Sequence, residues 1–402
     1  MRSHQWGLDL IHADAAHAVS TGSGAVVAVV DTGVAGSHPD LAGRIGAGHD
    51  FVQNDSTPQD ENGHGTHVSG IIAADAGNGI GVDSVAPGAT IMPVRVLDAG
   101  GNGDTGTVAQ GIDWAASHGA DVINLSLGGT LPLSGIGMSD AVTQAAQRAA
   151  NRGVVVVAAA GNDGLPFCEN GTGDGKVLCV GAVDKRGARS FYSSFGSGVG
   201  LVAPGGSDLP GTDEDVLSTW NDGSYQELAG TSQATPHVAG VAALLVSKGV
   251  RGQAAVQRIL ATTTDLGAPG PDIQFGNGLV NAEAAVAGLQ SSSPSGNGRN
   301  GSVRVSIARR LKIRSVLRHG IRVSCLSPAS GRCTAVARRG HRPIARGSAQ
   351  AAAGRASVFR AKPTPSGRRT LRTALRRRQR LRVAVTVRLP GAKISRRLLL
   401  VP

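Results

Sequence analysis

A carboxylate, an imidazole, a carboxamide and a hydroxyl stand far apart in this chain at Asp31, His64, Asn162 and Ser232, each at the same kind of place. Asp31 closes the apolar run Ala25–Val30 (AVVAVV), and Asn162 follows VVVVAAAG. His64 lies in the glycine-bracketed turn Asn62-Gly63-His64-Gly65-Thr66-His67, and Ser232 follows Gly230-Thr231 ahead of a helical stretch. Singly, each has an ordinary reading: a turn-forming Asp, a helix N-cap Ser, a satisfied polar His, a loop Asn. Together they supply what acyl transfer requires. A serine hydroxyl becomes a useful nucleophile when an imidazole accepts its proton. A carboxylate fixes that imidazole, and the Asn162 amide with the Ser232 N–H would stabilise an oxyanion. The positive end of a helix starting at Ser232 adds to the same spot.

Such groups converge when a parallel sheet presents them at the carboxyl ends of its strands. Ala25–Val30, Thr90–Val96, Val122–Leu127 and Val154–Ala160 are short, continuous and Val/Ile-rich, as strands buried on both faces are. Helices are expected between them over His67–Ala76, Thr107–His118, Ser139–Asn151 and Thr235–Ser247, with Pro236 in the first turn. Strand and helix in alternation predict an α/β domain over residues 1–290. Residues 291–302, SSSPSGNGRNGS, read as a flexible linker. Residues 303–402 then alternate strictly (Val303, Val305, Ile307; Ile321, Val323, Cys325; Val383, Val385, Val387, Leu389), which predicts a small C-terminal all-β, sandwich-like domain. A short helix is expected over Leu371–Arg380.

Charge divides the chain at the same place. The 402 residues carry a net +12, yet residues 1–290 hold 12 Lys+Arg against all 28 Asp+Glu, and residues 291–402 hold 28 basic residues and no acidic one. Four cysteines form two local pairs without zinc spacing, Cys168/Cys179 and Cys325/Cys333, the second flanking SPASGR as if to staple a hairpin. Two disulfides in an exported protein are expected, with free buried thiols as the alternative. The first twenty residues lack the apolar core of a signal peptide, so the leader lies upstream or another export route is used. No run approaches the ~18 apolar residues of a membrane span.

The blocks Val29-Val30-Asp31-Thr32-Gly33-Val34, Asn62-Gly63-His64-Gly65-Thr66-His67-Val68-Ser69-Gly70 and Gly230-Thr231-Ser232-Gln233-Ala234-Thr235-Pro236-His237-Val238-Ala239-Gly240 resemble, in order, the three signature segments of subtilisin-like serine proteases. The order Asp, His, Ser is the one known for subtilisin. The resemblance spans roughly residues 5–288 and implies a three-layer, mostly parallel fold and a secreted serine endopeptidase. It assigns Asp31 as the orienting carboxylate, His64 as the base, Ser232 as the nucleophile and Asn162 as the oxyanion donor. It further implies that Gly101-Asn102-Gly103 and Ser126-Leu127-Gly128 clamp an extended protein or peptide substrate between them.

It also implies a structural calcium ion, Ca2+, held by Asp40, Asn78 and the carbonyls of Ala76, Ile80 and Val82. Gln5, the only glutamine near the N-terminus, stands closer to Trp6-Gly7 than the family pattern places its glutamine ligand. Gln233 stands where relatives carry Met, Cys168–Cys179 falls at the expected wall of the specificity pocket, and no pro-segment lies in the chain.

Other readings are weaker. The second Asp-Thr-Gly, at Asp104, follows no apolar strand, which argues against an aspartic protease pair. His64 and His67 have no third ligand at helical spacing. For the basic tail the expectations are a solvated face, docking on an anionic surface or polymer, or attraction to the acidic residues 1–290. The enzyme is expected to act as a monomer. The rival class is a catalytically idle subtilase fold used as a binding scaffold, against which the intact set of four residues argues.

Overall fold

The computed structural model describes residues 1–128, 140–169, 174–289, 304–306, 310–326, 331–339, 342–351, 357–389 and 392–402. Thus the expected linker, Ser139, Val303 and Ile307 lie outside the described residues. The chain divides into two compact units, Met1–Ser291 and Ser292–Pro402.

The first unit is built on seven strands: β1 (Val26–Asp31), β2 (His49–Asp50), β3 (Thr90–Arg95), β4 (Val122–Leu125), β5 (Val155–Ala159), β6 (Val177–Val183) and β7 (Val199–Pro204). They pair in the order β2-β3-β1-β4-β5-β6-β7, every pairing parallel. The antiparallel pair β8 (Val216–Thr219) and β9 (Tyr225–Leu228) stands apart. Helices are α1 (Trp6–Leu10), α2 (Ala13–His17), α3 (His64–Ala73), α4 (Thr105–Ser117), α5 (Asp140–Asn151), α6 (Thr231–Ser247), α7 (Gly252–Ala261) and α8 (Ala282–Val286).

The continuous apolar strands need cover on both faces, and receive it. Val27, Val29, Val155 and Val157 pack with Val68 and Ile72 of α3 and Val238 and Val241 of α6. Ala28, Val30, Ile123 and Val156 pack on the other side with Val108 and Ile112 of α4 and Ala145 and Ala149 of α5. Three layers result. Helix α6 is buried almost all round, which its long apolar stretch requires.

Several helices begin earlier than the pattern predicts. Helix α3 starts at His64 itself and α6 at Thr231, because glycines Gly63 and Gly230 end the preceding turns one residue before each helix. Pro236 is therefore the sixth residue of α6, beyond the first turn.

The second unit contains β10 (Arg304–Ser306), β11 (Arg310–Lys312), α9 (Ile313–His319), β12 (Ile321–Leu326), β13 (Gly331–Arg339), β14 (Arg342–Ala351), β15 (Ser357–Pro363), α10 (Pro365–Arg376), β16 (Leu381–Leu389) and β17 (Ala392–Val401). It is strand-rich, with one eight-stranded sheet in the order β10-β12-β15-β14-β13-β16-β17-β11. Alternate residues Val323, Cys333, Ala335, Val383, Val385 and Val387 share a core with Ile313 and Val316 of α9 and Leu371 and Ala374 of α10. The helices thus cover one face of the sheet. Helix α10 opens six residues before the expected Leu371, at Pro365, behind a Thr364 hydroxyl that accepts from Gly367 N.

Both cysteine pairs are disulfides. The second is not a hairpin staple: β12 and β13 are separated by β15 and β14 in the sheet, yet Cys325 and Cys333 have Cα atoms 6.8 Å apart. The sheet therefore curls on itself around its buried side chains.

Candidate active site

Asp31 ends β1 with its carboxylate fully buried. Its Oδ1 accepts from the Thr32 N–H at 2.7 Å and lies 2.8 Å from His64 Nδ1. Because a carboxylate only accepts, Nδ1 carries the proton and Nε2 keeps its lone pair. Burial disfavours a charge on His64, but the Asp31 charge and hydrogen bond, with Asp60 behind, outweigh it and raise the His64 pKa.

The turn before His64 is held from below. Gly63 has φ 118°, and any side chain there would meet the Trp220 ring at 2.4 Å. Buried Asp60 accepts from Thr32 Oγ1 at 2.9 Å, from the N–H groups of Asn62, Gly63 and Thr66 at 3.0, 2.8 and 2.9 Å, and from Thr66 Oγ1. Sequence reasoning missed Asp60. Its signal was available: an Asp at the start of a turn offers oxygens to the N–H groups two and three residues on. His67 points elsewhere, its Nε2 3.1 Å from the Val216 and Gln226 carbonyls, and burial lowers its pKa to about 3.

Ser232 is the second residue of α6. Among the described residues its Oγ donates to the Ser126 carbonyl at 3.3 Å, and no hydrogen bond joins it to His64. Such a bond is often long in an unliganded enzyme and tightens around substrate. Asn162 Oδ1 accepts from the N–H and the hydroxyl of Thr231, each at 2.9 Å. With its oxygen so engaged, the amide turns Nδ2 towards Gly230, where an added Cβ would sit 3.5 Å from Nδ2 and 3.6 Å from the Ser232 N. Both nitrogens therefore face the same side of Gly230.

Pro236 has a consequence here. In an α-helix its N–H would bond the carbonyl four residues back, which is that of Ser232. That carbonyl instead accepts from Ser126 Oγ at 2.7 Å, and Ser126 Oγ accepts from the buried Asn124 amide at 2.9 Å. The Ser232 backbone is thereby tied to the end of β4.

Each of the two expected substrate segments adjoins one of these groups. Asn62 Nδ2 donates to the Ala99 carbonyl at 3.0 Å and lies close to Gly101, so Gly101-Asn102-Gly103 borders the His64 turn. Asp98 Oδ1 fixes this loop by accepting from Gly100 and Asn102 N–H groups. Ser126-Leu127-Gly128 borders Ser232. Beyond Asn162, the disulfide ties Cys168 to Cys179 of β6, and neighbouring Glu169 packs against Gly161 and accepts from Ser194 Oγ at 2.5 Å. Burial pushes the Glu169 pKa up.

Of the expected calcium ligands, Asp40 and Asn78 meet, with Asn78 Nδ2 2.6 Å from Asp40 Oδ1. Asp40 is fully buried, and its Oδ2 accepts from the Val82 N–H at 2.8 Å and the Tyr225 hydroxyl at 3.2 Å. Among the described residues no three His, Cys, Asp or Glu side chains gather to hold a metal. A buried carboxylate, a carboxamide and loop carbonyls are oxygen donors of the type a hard cation takes; here Asn78 presents its nitrogen to Asp40, and its Oδ1 accepts from the Ile80 N–H at 2.9 Å. Gln5 also reaches this loop, exchanging two 2.8 Å hydrogen bonds with the Asp83 backbone. Its place in the sequence concealed this.

Comparison with known proteins agrees with this geometry. Residues 22–278 match the profile of the Subtilase family. Thermitase of Thermoactinomyces vulgaris is 45% identical over 284 residues, 71% of this chain and 96% of that protein. Subtilisin Savinase of Lederbergia lenta is 43% identical over 288 residues, 71% of this chain and 99% of that protein. A solved protease structure from Pseudoalteromonas arctica superposes with a TM-score of 0.64 at 36% identity, covering 72% of this chain and 98% of that one. The chain belongs to the subtilase family and is a serine-type endopeptidase. No helix among its described residues is long and apolar enough to cross a membrane.

Proposed function

We propose that this endopeptidase cleaves peptide bonds through an acyl-enzyme on Ser232. His64 Nε2 takes the Ser232 proton as Oγ attacks the scissile carbonyl carbon. The carbonyl oxygen becomes an oxyanion held by Asn162 Nδ2 and the Ser232 N–H. Collapse breaks the C–N bond, and the leaving amine receives the proton from His64. Water then repeats the sequence and releases the acid. Asp31 keeps His64 in the Nδ1–H tautomer and stabilises its cation. The observation that carries this reading is the 2.8 Å contact of His64 with the buried Asp31 carboxylate.

The substrate runs extended between Gly101-Asn102-Gly103 and Ser126-Leu127-Gly128, bound through its main chain. All the groups assigned to this reaction lie in one chain, so the proposed chemistry needs no second copy, and the enzyme is proposed to act as a monomer. A disulfide in each unit supports a secreted, oxidising setting. Calcium would be held by Asp40, Asn78 and the Ala76, Ile80 and Val82 carbonyls and would lock the loop structurally; chelation should then lower the unfolding temperature, and an unchanged temperature removes the ion from this account.

A serine-directed fluorophosphonate tests the reading. Labelling of the folded protein that disappears in Ser232→Ala supports it. An idle scaffold would remain unlabelled.

A further inference from the structure

The helices α9 and α10 cover one face of the C-terminal sheet, and its other face is open. Alternation puts Arg332, Arg346, Lys362, Arg382 and Arg388 on that face, all exposed, while their strand neighbours Cys333, Ala345, Ala361, Val383 and Val387 are buried. Strand pairing brings Arg346 directly opposite Lys362, and Arg388 and Ser348 each opposite Thr334. Like charges directly opposite on a sheet repel. Nothing in the unit offsets this, since residues 292–402 contain no Asp or Glu.

We infer that this face binds a flexible, linear phosphodiester polymer through its charged backbone. Four observations select that partner. Guanidinium groups match phosphate oxygens as two-pronged donors, and hydroxyls of Ser348 and Thr334 stand among them. Phe359 is the only aromatic residue after 290, and its partly buried side chain packs against the core, so stacking on bases is not provided. No large apolar side chain is exposed among the unit's described residues, so the insertion that anchors a surface helix in lipid is not provided either. Finally, the cations form a two-dimensional array along and across strands. A flexible chain can follow several rows, whereas a rigid duplex is met by an element that enters its groove.

The test uses the full chain blocked at its active site and a fluorescent poly(glycerol phosphate) of about 20 units, read by anisotropy. Binding should weaken steeply with salt, with a log–log slope near −4 for about five to six contacts made to a single-stranded backbone. Changing Arg346, Lys362 and Arg388 together to Gln should weaken it at least tenfold. The same change at Arg369, Arg372 and Arg376 of α10 should leave it within about threefold. Circular dichroism of both triple variants reports folding, and the double variant Arg346→Lys with Arg388→Lys, which keeps the charge and loses the two-pronged donors, should bind more weakly than the wild type yet more tightly than the glutamine triple. No binding at low salt overturns the proposal. So does an equal loss from the α10 triple, equal affinity for polyglutamate of matched charge, or tenfold tighter binding of duplex DNA or of anionic phosphatidylserine vesicles.

Discussion

Around the reacting residues of the first unit, charged groups are answered from within the chain. Asp31 has His64 and Thr32, Asp60 has five donors, and the buried Arg95 guanidinium meets Asp50 at 3.2 Å and Glu61 at 2.5 Å. In the second unit 28 basic residues share a domain with no carboxylate side chain at all. Internal pairing fixes geometry, which chemistry at a single carbonyl needs. Unanswered charge leaves a surface that something outside the molecule must neutralise. The two units should therefore respond differently to substitution, pH and salt.

The sharpest separation comes from removing a reacting group. Ser232→Ala or His64→Ala should lower kcat/KM on a peptide substrate by about 10⁴-fold or more while leaving the salt-sensitive binding of the second unit unchanged. Asn162→Ala should cost about 10²–10³ in kcat, the magnitude of the corresponding donor in subtilisin. Full turnover in the Asn162 variant would remove it from the oxyanion site.

Acid should also divide the units. Burial lowers the pKa of His67 to about 3 and of His237 to about 4, against about 6.5 in an unfolded chain. An unfolded first unit therefore binds more protons, and its stability, complete above about pH 6.5, falls as pH drops towards 4. The loss amounts to several kcal/mol, since each tenfold difference in proton affinity between the folded and unfolded chain is worth about 1.4 kcal/mol. His64 acts oppositely. Its raised pKa adds stability below about pH 6.5 that is lost as pH rises through the folded value. All three tryptophans, Trp6, Trp114 and Trp220, belong to the first unit, so their fluorescence during urea unfolding reports it alone. Its midpoint should drop clearly between pH 7 and 4.5. Amide-exchange protection factors in the second unit, which has no buried histidine among its described residues and no side-chain carboxylate, should change far less. Parallel losses would break the comparison.

Replacing Asp60 by Asn removes one of the charges that raise the His64 pKa. Because catalysis needs neutral His64, the acid limb of kcat/KM should move to lower pH. An unmoved limb would leave Asp60 with a purely structural role.

What the sequence disclosed follows from how far each signal travels. The apolar runs and the three blocks bracket Asp31, His64 and Ser232 within a few residues, because a buried parallel strand and a glycine-closed turn are local patterns. Asp60 escaped although part of its pairing is local, because what joins it to the site is its bond with Thr32 in another element; Asn124 acts only through Ser126 on a carbonyl of α6, and Gln5, read as misplaced, meets Asp83 far along the chain. The curl that brings Cys325 to Cys333 across two intervening strands is likewise a property of the whole sheet, invisible in the eight-residue spacing. In the second unit alternation told which residues face inward, but not that both helices would cover the same face.

The smallest effect tests how Ser232 is seated. Ser126→Ala removes the donor to the Ser232 carbonyl and leaves that part-buried acceptor unsatisfied, which costs about 1 kcal/mol. Lost positioning of this kind should appear as roughly a tenfold fall in kcat with KM little changed. Pro236→Ala restores an N–H four residues ahead, at the place the helix would ordinarily use. In the wild-type background it competes with Ser126 for one carbonyl and should do little good. Combined with Ser126→Ala it should recover much of the loss, so the two changes will be non-additive. Additive losses would mean that the proline and the Ser126 hydroxyl do not act on the same oxygen, and that the seating of Ser232 rests on α6 alone.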